Sequence, residues 1–203
     1  MTTNSQKIGI LAFGSLIDDP GEELQSVIAE RKEGVITPFN IEYGRKSSKR
    51  GNAPTLIPVS DGGLKVKATL LVLKEGLTLE EVKNRLYRRE TNNVGKNGTY
   101  TERENPTPNQ LVIQEHTDIN DVQVYLTANY GCNLEEISPD ILADLAIESF
   151  KSNEVEKGRD GISYLKNNID NNIITPLTEE YRNAILKKMN AKNLEELIER
   201  KTP

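Results

Sequence analysis

Two short stretches of this chain carry residues suited to chemistry. The first is a helical pattern starting at Thr78, in which Leu79, Val82 and Leu86 share one face. At about 100° per residue, Glu90 falls within about 20° of the direction of Leu79, so an acidic side chain continues an apolar stripe. A carboxyl kept from water suits both the uptake and the return of a proton. The same periodicity allows a Glu90 that simply ends the helix, reaching solvent or pairing with Arg88 or Arg89. The second stretch is Phe13-Gly14-Ser15-Leu16, a glycine-serine turn directly after an apolar strand. Such a turn can aim successive backbone N–H groups at a carboxylate or an oxyanion, and it can equally serve turn geometry alone. The second glycine of G-x-S-x-G is missing, and no Gly-Lys-Ser/Thr follows, so neither a nucleophile elbow nor a phosphate loop is present. Ser15 or Cys132 with His116, the only histidine, would make a hydrolase pair, but no spacing supports either pairing. The cationic run Arg45-Lys46-Ser47-Ser48-Lys49-Arg50 reads first as a solvated loop, with a phosphate or carboxylate site as the alternative.

The elements that must position these residues divide along the chain. Strand patterns occupy residues 7–13, 35–43, 55–60, 65–73, 111–115 and 122–129. Asp61-Gly62-Gly63 signals a hairpin between the third and fourth of these, because glycine accepts the positive φ of tight turns. Val66, Ala68, Leu70 and Val72 alternate onto one face. Thr78 with Glu81 forms a capping box for the first long helix, and Ser138-Pro139 opens a second. Thr178 begins a third that carries Tyr181, Ile185 and Met189, and Asn193 with Glu196 opens a short last one. Residues 91–108 are polar and turn-rich, the pattern of a long surface loop. No repeat and no linker divides the chain, which predicts one α+β domain over 1–203 with a helical extension from about 176.

Composition narrows the function classes. A net charge of −5 argues against a general nucleic-acid binder. One cysteine excludes an internal disulfide and a thiolate cluster, and one histidine leaves no imidazole zinc site, so no metal and no cofactor is expected. No apolar stretch approaches the roughly 20 residues of a membrane span. Met1-Thr2-Thr3-Asn4-Ser5-Gln6 lacks a basic segment followed by an apolar core, so the expectation is a soluble, cytoplasmic protein without a membrane partner. The oligomeric state is not readable from the pattern.

Set in order, several motifs resemble one family. Leu11-Ala12-Phe13-Gly14-Ser15-Leu16-Ile17 is similar to the Tyr-Gly-Ser-Leu segment of the γ-glutamylcyclotransferases, especially their ChaC-like branch. Leu86-Tyr87-Arg88-Arg89-Glu90 resembles that branch's Leu-x-x-Arg-Glu, whose glutamate is the catalytic acid and base. Arg50-Gly51 before Thr55-Leu56-Ile57-Pro58-Val59, and the Asp61-Gly62-Gly63 turn into Val66, fit the same plan. So does Gly158-Arg159-Asp160-Gly161-Ile162-Ser163-Tyr164-Leu165, similar to the family's Gly-x-x-Gly-x-x-Tyr-Leu. Two differences fall on the expected pocket. Phe13 stands where the family has tyrosine, and the stretch after Glu90 is longer than the family's Gly-Gly-Tyr, with Tyr100 as the matching aromatic.

The resemblance implies an α+β fold of γ-glutamylcyclotransferase type, a mixed β-barrel or sheet with surrounding helices. It implies a lyase that releases 5-oxoproline from a small γ-glutamyl peptide or amide, glutathione first. Glu90 would be the acid/base, and Phe13, Gly14, Ser15, Leu16, Arg50, Tyr100 and Tyr164 would line the substrate site. Read from the residues alone, Arg50 is as readily a surface arginine and Tyr164 a core tyrosine with a satisfied hydroxyl. The alternative function is a binding module of the same fold, holding a small anionic metabolite or a peptide end without turnover.

Overall fold

β1 (Ile8–Ala12) is buried at every residue, and its neighbours explain why. It runs antiparallel to β5 (Lys67–Leu73) on one side and parallel to β7 (Val122–Asn129) on the other. The sheet order is β2-β5-β1-β7-β6, with β2 (Ile28–Ile36) and β6 (Val112–Ile119) at its edges. This computed structural model describes residues 6–152 and 154–200; the segment 1–5, on which the targeting expectation rests, lies outside them. The described residues fall into two compact units, one of 6–37 with 67–130, the other of 38–66 with 131–200.

In the first unit, the mixed sheet carries α1 (Ser15–Asp18), α2 (Glu22–Gln25) and α3 (Leu79–Glu90) against one apolar cluster. Ile8, Ile10, Ala12, Leu71, Leu73 and Leu126 supply the sheet side; Leu16, Leu24, Val82 and Leu86 supply the helix side. Each fully buried leucine of this kind contributes about 2 kcal/mol relative to exposure. α3 forms because its ends are written locally. Thr78 and Glu81 close the expected capping box, Glu80 and Glu81 face the positive end of the helix dipole, and Arg88 and Arg89 the negative end. It stops where Asn92 turns left-handed, with φ 55°; Asn92 N–H then bonds Arg89 O and Asn93 N–H bonds Arg88 O, a Schellman closure.

In the second unit, β3 (Asn40–Ser47) pairs antiparallel with β4 (Ala53–Val59). α4 (Pro139–Phe150) packs on β4, on α5 (Gly161–Asp170) and on α6 (Thr178–Met189), and α7 (Leu194–Glu199) packs on α5 and α6. Tyr43 and Tyr181 meet edge to face in this core, ring centroids 5.2 Å apart, and burial pushes both hydroxyls up. The buried Glu42 carboxylate accepts from the Tyr43 N–H, the Thr175 hydroxyl at 2.6 Å and the Leu177 N–H, tying the approach to α6 onto β3.

The α+β class holds, while four details differ from the expectation. The five strands form an open sheet among the described residues, not a closed barrel. The strand expected over 35–43 is two strands, β2 ending at Ile36 and β3 beginning at Asn40, with Thr37-Pro38-Phe39 between them. Asp61-Gly62-Gly63 does turn, with φ 68° and 65° at the glycines, but β4 pairs with β3 and β5 with β1 and β2. The chain instead folds back so that Leu64 bridges Ile41. Thr178 is the first residue of α6, not its cap; its hydroxyl accepts the Thr175 N–H. No helix among the described residues is long and apolar enough to cross a membrane.

α5 starts at a glycine for a packing reason. A Cβ on Gly161 would stand 2.7 Å from the Ala146 Cα of α4 and 2.9 Å from its Cβ. Gly161→Ala is therefore expected to cost about 1–3 kcal/mol through overpacking, measured by denaturant unfolding. An unchanged midpoint would mean that the two helices part easily.

Candidate active site

The two stretches singled out in the sequence both lie in the first unit, and one guanidinium joins them. β1 ends at Ala12, and the chain reverses at Gly14, whose φ of 62° and ψ of −141° suit glycine alone. Ser15 then opens α1, with Ile17 N–H bonded to Gly14 O at 3.2 Å. α1 has only four residues, so its last carbonyls need partners from elsewhere. Arg89, in the last turn of α3, supplies them. Its Nε donates to Asp19 O at 2.9 Å, and its Nη2 to Asp19 O, to Ser15 O at 2.9 Å and to Ser15 Oγ at 3.3 Å. Arg31 adds a bond to Ile17 O at 2.7 Å.

The remaining reach of the Arg89 fork goes to Glu90. Nη1 donates to Glu90 Oε1 at 2.6 Å, with the two side chains only 12% and 16% exposed. Glu90 is thus partly buried, and an ion pair compensates its charge. The expectation of a carboxyl buried within an apolar stripe is corrected: Val82 and Leu86 are buried, Leu79 is partly so, and Glu90 turns to its neighbour's guanidinium. The competing sequence reading, an ion pair with Arg89, describes the contact. Tyr130, just past β7, brings its hydroxyl to Glu90 O at 3.4 Å.

α3 holds α2 by the same means. Arg85 Nη1 donates to Glu23 O at 2.9 Å. Arg88 closes on the Glu23 carboxylate with Nε at 2.8 and 3.0 Å and with Nη2, a bidentate geometry. That carboxylate also accepts the Gly95 N–H at 2.8 Å, and Arg88 Nη1 reaches Gly98 O at 2.9 Å. The segment that follows Glu90 is therefore clipped to α2 and α3. It carries no helix or strand from 91 to 111, as the composition of 91–108 predicted.

The other sequence candidates are distributed as follows. Phe13 is half-buried, and Gly14 and Leu16 are buried beside β1. Tyr100 stands against Tyr87, ring centroids 6.1 Å apart; its N–H bonds Asn84 Oδ1 at 2.7 Å, and its hydroxyl accepts the Ile113 N–H at 3.0 Å. That hydroxyl closes the start of an edge strand. Arg50 and Tyr164 belong to the second unit and are brought to each other: the guanidinium carbon lies 5.0 Å from the ring centroid, a cation–π geometry. Arg50 Nη1 also reaches Arg159 O, and the Tyr164 hydroxyl, in a buried side chain, accepts the Leu56 N–H. His116 stacks on Tyr125 and meets Thr127 Oγ1 at 3.0 Å; burial draws its pKa down. Ser15 Oγ takes its bond from Arg89, and Cys132 is exposed with Sγ directed to Leu134 O.

Sequence reasoning missed Arg89 as a bridge, Arg88 with Glu23 as a clamp, and Tyr130 altogether. The available signal was the spacing of Arg85, Arg88 and Arg89, which at i, i+3 and i+4 share one helix side. No protein-family model matches this chain, and no curated protein matches it significantly.

The clamp has a pH signature. Hydrogen bonds from Arg88 hold the Glu23 carboxyl below its ordinary value, against a smaller opposing effect of burial, with the Gly95 N–H adding to the lowering. A carboxyl depressed in the folded state contributes stability above its unfolded value of about 4.3, and that contribution fades as pH falls through the folded value. The Gly95 amide should accordingly lose hydrogen-exchange protection on acidification below that unfolded value. Glu23→Gln should be nearly flat across the same range; equal acid sensitivity in both proteins would remove Glu23 as the cause.

Proposed function

We propose that this chain is an enzyme with a γ-glutamylcyclotransferase-like fold that releases 5-oxoproline from a small γ-glutamyl peptide or amide, with glutathione the first substrate to test. The observation that carries the reading is the Arg89 guanidinium, bonded at once to the Glu90 carboxylate and to the Gly14-Ser15 turn. The two stretches that resemble the family's acid/base and its substrate loop are thereby neighbours. Soluble, cytoplasmic action on a small molecule accompanies this reading.

The chemistry asks little of the protein, because the nucleophile belongs to the substrate. The substrate's α-ammonium gives a proton to the Glu90 carboxylate. The freed amine attacks the γ-carbonyl carbon and closes a five-membered ring. Glu90 returns the proton to the leaving nitrogen as the original amide C–N bond breaks, and the ring nitrogen gives up its second proton to the released amine, so the products are 5-oxoproline and the leaving group's ammonium. No water is consumed. Backbone N–H groups of the 14–16 turn would meet the substrate carboxylate or the developing oxyanion. Phe13, without a hydroxyl, would offer the γ-glutamyl stem an apolar wall. Tyr100 would shape the site with its ring, since its hydroxyl already accepts from Ile113. The proposal rests on first-unit residues; Arg50 and Tyr164 are not needed for it.

A second reading, a binding module for a small anion, draws on one specific observation: the Glu90 charge is already compensated by Arg89. Purified protein incubated with glutathione and a panel of γ-glutamyl amino acids, with 5-oxoproline as the readout, decides between them. Glu90→Gln is expected to lower kcat by about 100-fold or more, the usual contribution of a positioned acid/base. Unimpaired turnover in that variant would remove Glu90 as the base, and no turnover in the wild type would leave the binding module.

A further inference from the structure

The Arg89 side chain touches both halves of the proposed site. A guanidinium offers five donors in a rigid fork, and here the fork is spread over Asp19 O, Ser15 O, Ser15 Oγ and Glu90 Oε1. At 12% exposure it works largely out of water, where a charged hydrogen bond weakens little through competition with solvent. The chain also makes room for it. Gly21 has φ 75°, and a Cβ there would stand 3.2 Å from the Arg89 Cγ, so the turn between α1 and α2 is shaped around the arginine's stem. A lysine in the same place would carry the charge but could not bond the carbonyls and the carboxylate together.

We infer that Arg89 is the positioning residue of this site: it fixes the Glu90 carboxylate relative to the Gly14-Ser15 turn, so that both act on one γ-glutamyl group. The inference rests on the γ-glutamyl reading above. Arg89 performs no proton transfer. Its contribution is geometric: a base that swings free of its fork loses its alignment with the ammonium of a substrate held by the turn. Such loss falls on the chemical step more than on ground-state binding.

The test measures 5-oxoproline release by the wild type, Glu90→Gln, Arg89→Ala and Arg89→Lys over a range of substrate concentrations, with thermal melting of each protein. Arg89→Ala should lose about 100-fold in kcat, while KM stays within about 3-fold of the wild type. Millimolar guanidinium should restore about 10-fold of that loss, and methylammonium should not, because only the planar fork reproduces the bonds. If Arg89→Ala fails to fold, Arg89→Lys carries the test: its kcat should fall about 10-fold with melting unchanged. Wild-type kcat in Arg89→Lys, or in a folded Arg89→Ala, overturns the inference. So does a loss in kcat matched by an equal rise in KM and untouched by guanidinium, the mark of general damage. An active wild type with an inactive Glu90→Gln and an unimpaired Arg89→Ala defeats this inference alone. A wild type inactive on every γ-glutamyl compound defeats the parent reading and this inference with it.

Discussion

A four-residue helix cannot hold itself together in water, because its nucleation cost exceeds what one or two hydrogen bonds return. α1 and α2 are both of this length, and they bear or border every first-unit residue of the 13–25 segment that matters to the site. They are held by Arg85, Arg88 and Arg89 of α3, which reach the backbone carbonyls of Ser15, Asp19 and Glu23 and the Glu23 carboxylate. α3 can afford this role because it is itself well capped and anchored by Val82 and Leu86. A stable helix thus lends order to two marginal ones. Arg89, last in that series, is also the residue that turns to Glu90.

The second unit solves a similar problem with acceptors. Asp160 is fully buried and accepts from the Ile162 N–H, the Ser163 N–H and the Ser163 hydroxyl, capping α5. Glu42 gathers the N–H and hydroxyl donors before α6. The Ser149 hydroxyl donates to Arg50 O and accepts the Gly161 N–H at 3.2 Å. In both units the irregular segments are held by charged or hydroxyl side chains that satisfy backbone groups, as buried polar groups require. The apolar clusters set where the regular elements lie, and these polar contacts set where the chain between them lies.

What the sequence made legible follows from the range of each interaction. The capping boxes and caps at Thr78, Ser138 and Asn193 are encoded within four residues, and all three appear. β1, β5 and β7 announce themselves through burial, which their composition mirrors. β2 does not: Ala29-Glu30-Arg31-Lys32-Glu33 forms an exposed edge strand, so no apolar alternation marks it. The pairing of β5 with β1 and β2 rather than with β4 is a choice among distant partners, which a turn signal at Asp61-Gly62-Gly63 could not make. At the site, periodicity set Glu90 in line with Leu79, Val82 and Leu86 but could not see a neighbouring arginine taking its carboxylate. Hydrogen bonds from a guanidinium to carbonyls some 70 residues earlier in the chain have no sequence period at all. That is why Arg89 was readable as a residue and not as a bridge.

In the proposed reaction a γ-glutamyl amide would be opened by its own amine and not by water. The most direct measurement is turnover in water enriched in heavy oxygen, followed by mass spectrometry of the acidic product. Ring closure predicts 5-oxoproline of ordinary mass, with the solvent oxygen absent from it. Glutamate carrying the heavy oxygen would show hydrolysis and contradict the account, and so would an acidic product that never forms.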